Sequence, residues 1–217
     1  MEIYNSKQNN IWFTSDLHYM HKNITSGVTK WPHPETDCRQ FPNEIEMSKH
    51  IVHQLNHYIK EDDILFNLGD WSFGGIDNIW NLRKQLRCQN IYLILGNHDT
   101  HILKNKELPN CSLNDYLPWS DHNFDPINEQ RTARELFNTV QEYLEIKIDD
   151  IKLCLMHYPI ENWNNRLEPS YHLYGHVHGK HTFDKESKRL DVGIDNAFKL
   201  LGEYKPFSWE EIKNLLL

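Results

Sequence analysis

The chain alternates short apolar runs with longer stretches in which apolar residues recur every three or four positions. "NIWFTS" at 10–15, "DILFNL" at 63–68 and "NIYLIL" at 90–95 are compact runs rich in β-branched and aromatic residues, the pattern of buried strands. Residues 43–60 place Ile51, Val52, Leu55, Tyr58 and Ile59 on one helical face, and a second helix is expected over 76–87. "YLEIKI" and "IKLCLM", joined at Asp149–Asp150, predict a hairpin. A strand near 171–175, a second hairpin around 181–193 and an amphipathic helix from about Ser208 complete the pattern. Residues 100–135, with Pro109, Pro118 and Pro126, read as a variable insertion. Strand–helix–strand order early and hairpins late predict the α/β class, mixed sheets with helices outside, in one domain spanning 1–217.

In such sheets ligands bind beyond the carboxyl ends of strands. The polar residues that follow the predicted strands therefore carry the chemistry. After the first strand comes "SDLH", with Asp16 and His18 two apart, able to point the same way if extended geometry continues. "LGDW" supplies Asp70, "GNHD" supplies Asn97, His98 and Asp99, "MHYP" supplies His157, and "YGHVH" supplies His176 and His178. The glycines before Asp70, Asn97 and His176 fit tight turns. A single Asp or His after a strand is an ordinary turn residue; five strand ends in succession are not. Asp, Asn and His are hard oxygen and borderline nitrogen donors without a thiolate, suited to Mn²⁺, Fe²⁺, Zn²⁺ or Ni²⁺. So many candidate ligands exceed what one open catalytic ion needs, and suit two ions if a carboxylate bridges them. Such paired sites activate water and clamp an in-line phosphoryl displacement.

The ordered set D-x-H, G-D, G-N-H-D, H and G-H-x-H resembles the calcineurin-like metallophosphoesterase superfamily from residue 11 to about 196. "FTSDLHYMHKNI", "LGDWSFGG", "HYPIENW" and "VGIDNAFKLLGEYKPFSWEEI" resemble a subgroup of small bacterial and phage members. The resemblance implies a four-layer α-β-β-α sandwich of two mixed sheets. It also implies that Asp16, His18 and His178 hold one ion and Asn97, His157 and His176 the other, with Asp70 bridging. His98 would face the substrate phosphate and protonate or stabilise the leaving oxygen, and Asp99 would orient His98. Two divalent ions, Mn²⁺ foremost, carry +4; Asp16, Asp70 and a bridging hydroxide return −3, which leaves about +1 to face a phosphate anion.

Other residues have competing readings. His21, three after His18, could reach the phosphate or be a plain loop residue. Arg39, in "CRQF", resembles an R-P-F element of the same subgroup with Gln40 in place of Pro, and could contact phosphate in bidentate fashion. His50, His53 and His57 fall opposite the apolar face of their helix and are expected to face solvent. Trp71, Tyr158 and Trp163 could line a substrate pocket or pack in the core, and Asp195 could sit at the rim of the site or in a turn.

Composition narrows the function. The 217 residues are 39% hydrophobic and 25% charged, with no apolar run near the roughly 18 residues of a membrane span. The N-terminus lacks a secretory layout, and the four cysteines are scattered without a C-x-x-C pair, so a cytoplasmic address is expected. A net charge of −8 argues against gripping long nucleic acid. The expected activity is hydrolysis of small phosphodiesters, including nucleotide diesters, by attack of a metal-bridging hydroxide. A phosphomonoesterase or protein phosphatase on the same core, or an inactive scaffold, is the alternative.

Overall fold

The computed structural model describes residues 2–108 and 131–217. Among the described residues, ten strands form two five-stranded mixed sheets. The first sheet has the order β10 (Phe207–Ser208), β2 (Ile11–Thr14), β3 (Ile64–Asn67), β4 (Asn90–Ile94) and β5 (Thr139–Gln141). The second has the order β1 (Glu2–Tyr4), β6 (Tyr143–Ile148), β7 (Ile151–Met156), β8 (Ser170–Tyr174) and β9 (Arg189–Asp191). Strands β2 to β5 run parallel, as do β7 to β9, while β10 on β2 and β6 on β7 are antiparallel.

The period-two alternation of the strands sorts residues between two cores. Ile11, Phe13, Ile64, Phe66 and Ile94 face the other sheet and meet Leu144, Ile146, Leu153, Leu155 and Leu173. Leu65, Ile91 and Leu93 face the opposite way, onto α2 (Glu44–Tyr58) and α3 (Ile76–Arg83). Helix α2 starts where Asn43 accepts hydrogen bonds from the amides of Ile45 and Glu46, a side-chain cap. It buries Met47, Ile51, Val52 and Leu55 and turns His53 and His57 to solvent, as its periodicity predicts, whereas His50, also expected at solvent, is half-buried with its ring 5.3 Å from that of Phe41. Helix α1 (Pro34–Asp37) and helix α4 (Thr100–Leu103) are single turns. Helix α5 (Ile194–Leu201) follows β9, and α6 (Trp209–Leu216) packs on β2 and β9 and so ties the two sheets together. None of the described helices is long and apolar enough to cross a membrane.

The hairpin at Asp149–Asp150 forms in the expected register, with Asp149 left-handed at φ 52°. The second expected hairpin does not form. Only β9 is a strand between 181 and 193, and it runs parallel to β8. His176, His178 and Gly179 have positive φ, so the chain turns out of the sheet and returns by a crossover rather than a tight reversal. Of the expected insertion over 100–135, residues 109–130 lie outside the described residues.

Candidate active site

The parallel strands end along one edge, where the two sheets meet as Ser15, after β2, pairs with Gly193, after β9. Every expected ligand arrives there. Beyond β2 the backbone does not stay extended. Asp16 (φ 57°) and His18 (φ 48°) are left-handed, as are Asp70 (φ 55°), His176 (φ 72°) and His178 (φ 51°). Such non-glycine conformations cost on the order of 1–3 kcal/mol each and persist only where the surroundings enforce them. Here they are cross-braced. The amide of Asp16 donates to Gly69 O at 2.9 Å, that of His18 to Asp70 O at 3.0 Å, and that of His176 to both carboxylate oxygens of Asp16. Gly96 and Gly175 are glycines for want of space: a Cβ would stand 2.2 Å from Asp70 Oδ1 and 2.5 Å from Asp16 Oδ2, respectively.

The side chains converge in two overlapping groups, Asp16 with His18 and His178, and Asp16 with Asp70 and His157. Asp70 Oδ2 lies 3.5 Å from His18 Nε2 and 3.6 Å from His157 Nε2, within reach of both groups. Asn97 Oδ1 lies 3.1 Å from His157 Nε2 and 2.9 Å from His176 Nδ1. Hydrogen-bond partners fix two tautomers. His157 Nδ1 donates to Leu68 O at 2.7 Å, and His178 Nδ1 donates to Asp195 Oδ2 at 2.6 Å, so both Nε2 atoms aim lone pairs inward. A lone pair facing a carboxylate and an amide oxygen at these distances repels, unless a cation sits between. Metal–ligand bonds of about 2.0–2.2 Å would join donors spaced this way, and the residues therefore fit divalent ions.

Electrostatics agree with neutral nitrogen donors. Burial drives the imidazolium form of His18 well below its ordinary range, with His178 adding to it, and burial also lowers His98 and His176. His178 goes the other way: burial opposes its charge, but Asp195 and Asp16 outweigh burial. Burial pushes the Asp70 carboxyl up to about 6, against the pull of His157.

His98 stands at the edge of this cluster, 40% exposed, with Nε2 4.0 Å from Asp70 Oδ2 and its ring against His18 and Phe73. Asp99 does not orient it through a hydrogen bond. The Asp99 carboxylate is buried and accepts the amides of Gly96, Asp70 and Trp71 at 2.8–3.0 Å, stitching the β4 turn to the β3 turn. His21 does lie beside the site, its ring 4.0 Å from Phe73 and 5.3 Å from His18, with burial and then His98 lowering it to about 4.

Arg39 corrects the expectation of a phosphate contact. It is 1% exposed, and its guanidinium is consumed by protein: two bonds of 2.8 Å to Asp195 and others to the carbonyls of Asp16 and Leu17. It braces the turn that carries Asp16 and His18. Asp195 is the residue that sequence reasoning left in doubt; burial opposes its ionisation, but Arg39 and His178 hold its carboxyl well below the usual range. Trp71 and Trp163 are buried, the first edge-on to Phe137. Tyr158 is exposed beside His176, at 4.8 Å between ring centres.

The model of the calcineurin-like phosphoesterase family matches residues 10–180. The chain belongs to that family. This calcineurin-like phosphoesterase is also 25% identical over 206 residues to the Gene 66 protein of Mycobacterium phage D29, covering 86% of this chain and 88% of that one. Its fold is similar to the crystal structure of AQ665, a protein of unknown function from Aquifex aeolicus, with a TM-score of 0.57 and 22% identity over 95% of this chain and 99% of that one. Membership, with the Asp/His cluster, makes the protein a metal-dependent phosphoesterase.

Two cavities adjoin the cluster of this phosphoesterase. One of about 410 Å³ is lined by His178, Asp195, Trp31, Phe198 and Tyr204, and another of about 400 Å³ by Asn97, His98, Phe73 and the Gly74–Gly75 turn. The first was not expected from sequence, because Trp31 and Phe198 follow no strand and neighbour no expected ligand along the chain.

Proposed function

We propose that the protein hydrolyses small phosphodiesters at a pair of divalent ions, Mn²⁺ foremost, held by Asp16, His18 and His178 on one side and Asn97, His157 and His176 on the other. The observation that carries this reading is the position of Asp70, whose Oδ2 lies at almost equal distance from His18 and His157, where one carboxylate can serve two ions. Ions bound there would supply a nucleophile from water at neutral pH and neutralise charge on the phosphoryl oxygens.

The chain's own residues supply the rest. Asn97 and the neutral imidazoles add no negative charge, which preserves a net attraction for phosphate. His98 overhangs the cluster and offers an N–H to the leaving oxygen. His21, kept neutral beside it, can donate one hydrogen bond to a phosphoryl oxygen. Asp99 keeps the turns of Asp70 and His98 in register. Two cavities, one reached past His178 and the other past His98, give each ester arm of a diester its own space, and this favours diesters over monoesters. A cytoplasmic address is part of the same reading, supported by free Cys38, Cys88 and Cys154.

The test is hydrolysis of an aryl phosphodiester and its matching monoester by Mn²⁺-loaded protein, with His98→Ala alongside. Faster diester turnover that falls by 10²-fold or more in the variant is expected. A monoester preference would move the assignment to a phosphomonoesterase. Silence on both with two ions bound would overturn the catalytic reading in favour of a scaffold.

A further inference from the structure

Large apolar side chains exposed singly are ordinary on a folded protein, but several gathered around one site mark a place where something binds. Four of the ten such side chains among the described residues, Trp31, Phe73, Tyr158 and Phe198, stand around the cluster, and all four are aromatic. Trp31 and Phe198 line the cavity that opens past His178.

Helix α5 links that cavity to the ligands. Asp195, which holds His178, and Phe198 are three residues apart on it, and positions i and i+3 share one face about one turn apart. The Phe198 ring stacks on Tyr204 at 4.4 Å with an interplanar angle of 9°, so one face is fixed by the protein and the side chain remains 46% exposed. Trp31, on the same cavity wall, has its ring centre 6.3 Å from that of His21. Formal charges around the cavity cancel: Lys180 and Lys199 against Glu35 and Asp37. Lys199 is further committed to Gly179 O at 2.9 Å. A balanced wall with two partly exposed aromatic rings does not attract a second phosphate. It accommodates a flat, uncharged ring, which stacks on aromatic side chains whatever its edge pattern. The volume of about 410 Å³ lies at the small end of the range for ligand sites and suits one ring system with its sugar.

We infer that this cavity receives the ester arm that the phosphate keeps, and that this arm is a neutral aromatic group of the nucleoside kind, stacked between Trp31 and Phe198. The leaving arm departs on the other side, in the cavity beside His98. This inference rests on the phosphodiesterase reading and narrows it to diesters with one aromatic arm.

Three diesters that share a p-nitrophenyl leaving group test it, the retained arm being methyl, phenyl or thymidine. Both aromatic arms should exceed methyl in kcat/KM by tenfold or more. The ratio should fall toward one in Phe198→Ala and be kept in Phe198→Trp. Thymidine preferred over phenyl assigns the cavity to nucleosides, whereas equal rates for those two leave any flat ring. Equal rates for all three arms, or a preference that survives both Phe198→Ala and Trp31→Ala, would overturn the inference. If no diester is hydrolysed, the phosphodiesterase reading fails instead, and saturation-transfer NMR with thymidine still tests the cavity. Transfer to the base in the wild type that is lost in Phe198→Ala supports stacking, and no transfer in the wild type overturns it.

Discussion

His178 Nδ1 lies 2.6 Å from Asp195 Oδ2, and Asp195 is gripped from behind by two 2.8 Å bonds from Arg39. The arrangement fixes the His178 tautomer, so that the lone pair of Nε2 faces Asp16. Partners of this kind are worth 10–100-fold in metal affinity. Asp195→Ala should therefore weaken binding of one of two Mn²⁺ ions by that factor in calorimetric titration and leave the other ion less affected. Asp195→Asn, which keeps an acceptor oxygen, should lose less. Equal affinities in wild type and Asp195→Ala would show that His178 needs no such partner.

Asp99 separates two kinds of role. Its carboxylate satisfies the buried amides of Asp70 and Trp71 and the half-buried amide of Gly96, and leaving a buried donor unpaired costs about 1–3 kcal/mol. Asp99→Ala should lower unfolding stability of the metal-free protein in urea by about 3 kcal/mol, and Asp99→Asn by less. Were Asp99 instead an orienter of His98, Asp99→Asn would cut kcat while stability stayed unchanged.

Charge at Asn97 tunes anion binding. Asn97→Asp takes the count at the loaded site from about +1 to about 0. The inhibition constant for inorganic phosphate should rise about tenfold or more, measured against an exposed-residue control such as Lys49→Gln. A rise no larger than the control's would contradict the charge argument.

His172 gives the fold a sensitivity to acid. It is fully buried, with Nδ1 donating to Cys154 O and Nε2 accepting from the Ile160 amide, and burial lowers it from 6.5 to about 4. Its folded value lies below its unfolded one, so the unfolded chain takes up the proton first. The stability tied to neutral His172 is complete above about pH 6.5 and is lost as pH falls toward 4, by about 3 kcal/mol over that window. Urea unfolding of metal-free protein at pH 7 and pH 4.5 should show a gap that narrows by about 2 kcal/mol in His172→Gln. An unchanged gap would place the acid sensitivity elsewhere.

The sheets and the ligand positions could be read from sequence because each depends on local pattern. Compact apolar runs mark β2, β3 and β4, alternation marks β6 and β7, and a ligand-type residue follows each of β2, β3, β4, β7 and β8 within a few residues. Strands β1 and β10, of three and two residues, are too short to carry a period. Helix α5 did leave a signal, with Ile194, Ala197, Phe198 and Leu201 at helical spacing and Gly202 left-handed at its end, but it is only eight residues long. Arg39 and Asp195 are 156 residues apart, and nothing local tells a charge that faces substrate from one that faces another charge. The same holds for Asp99, beside His98 in sequence and turned toward backbone amides in space.

The central claim is a pair of ions spanned by Asp70, and the most direct measurement is hydrolysis of thymidine p-nitrophenyl phosphate while Mn²⁺ is titrated into metal-free protein. Bound metal is counted in the same samples. Activity should stay low through the first equivalent, rise through the second and stop at two ions per chain. Full activity at one ion per chain, or two bound ions with no hydrolysis of this or any other phosphate ester, would contradict it.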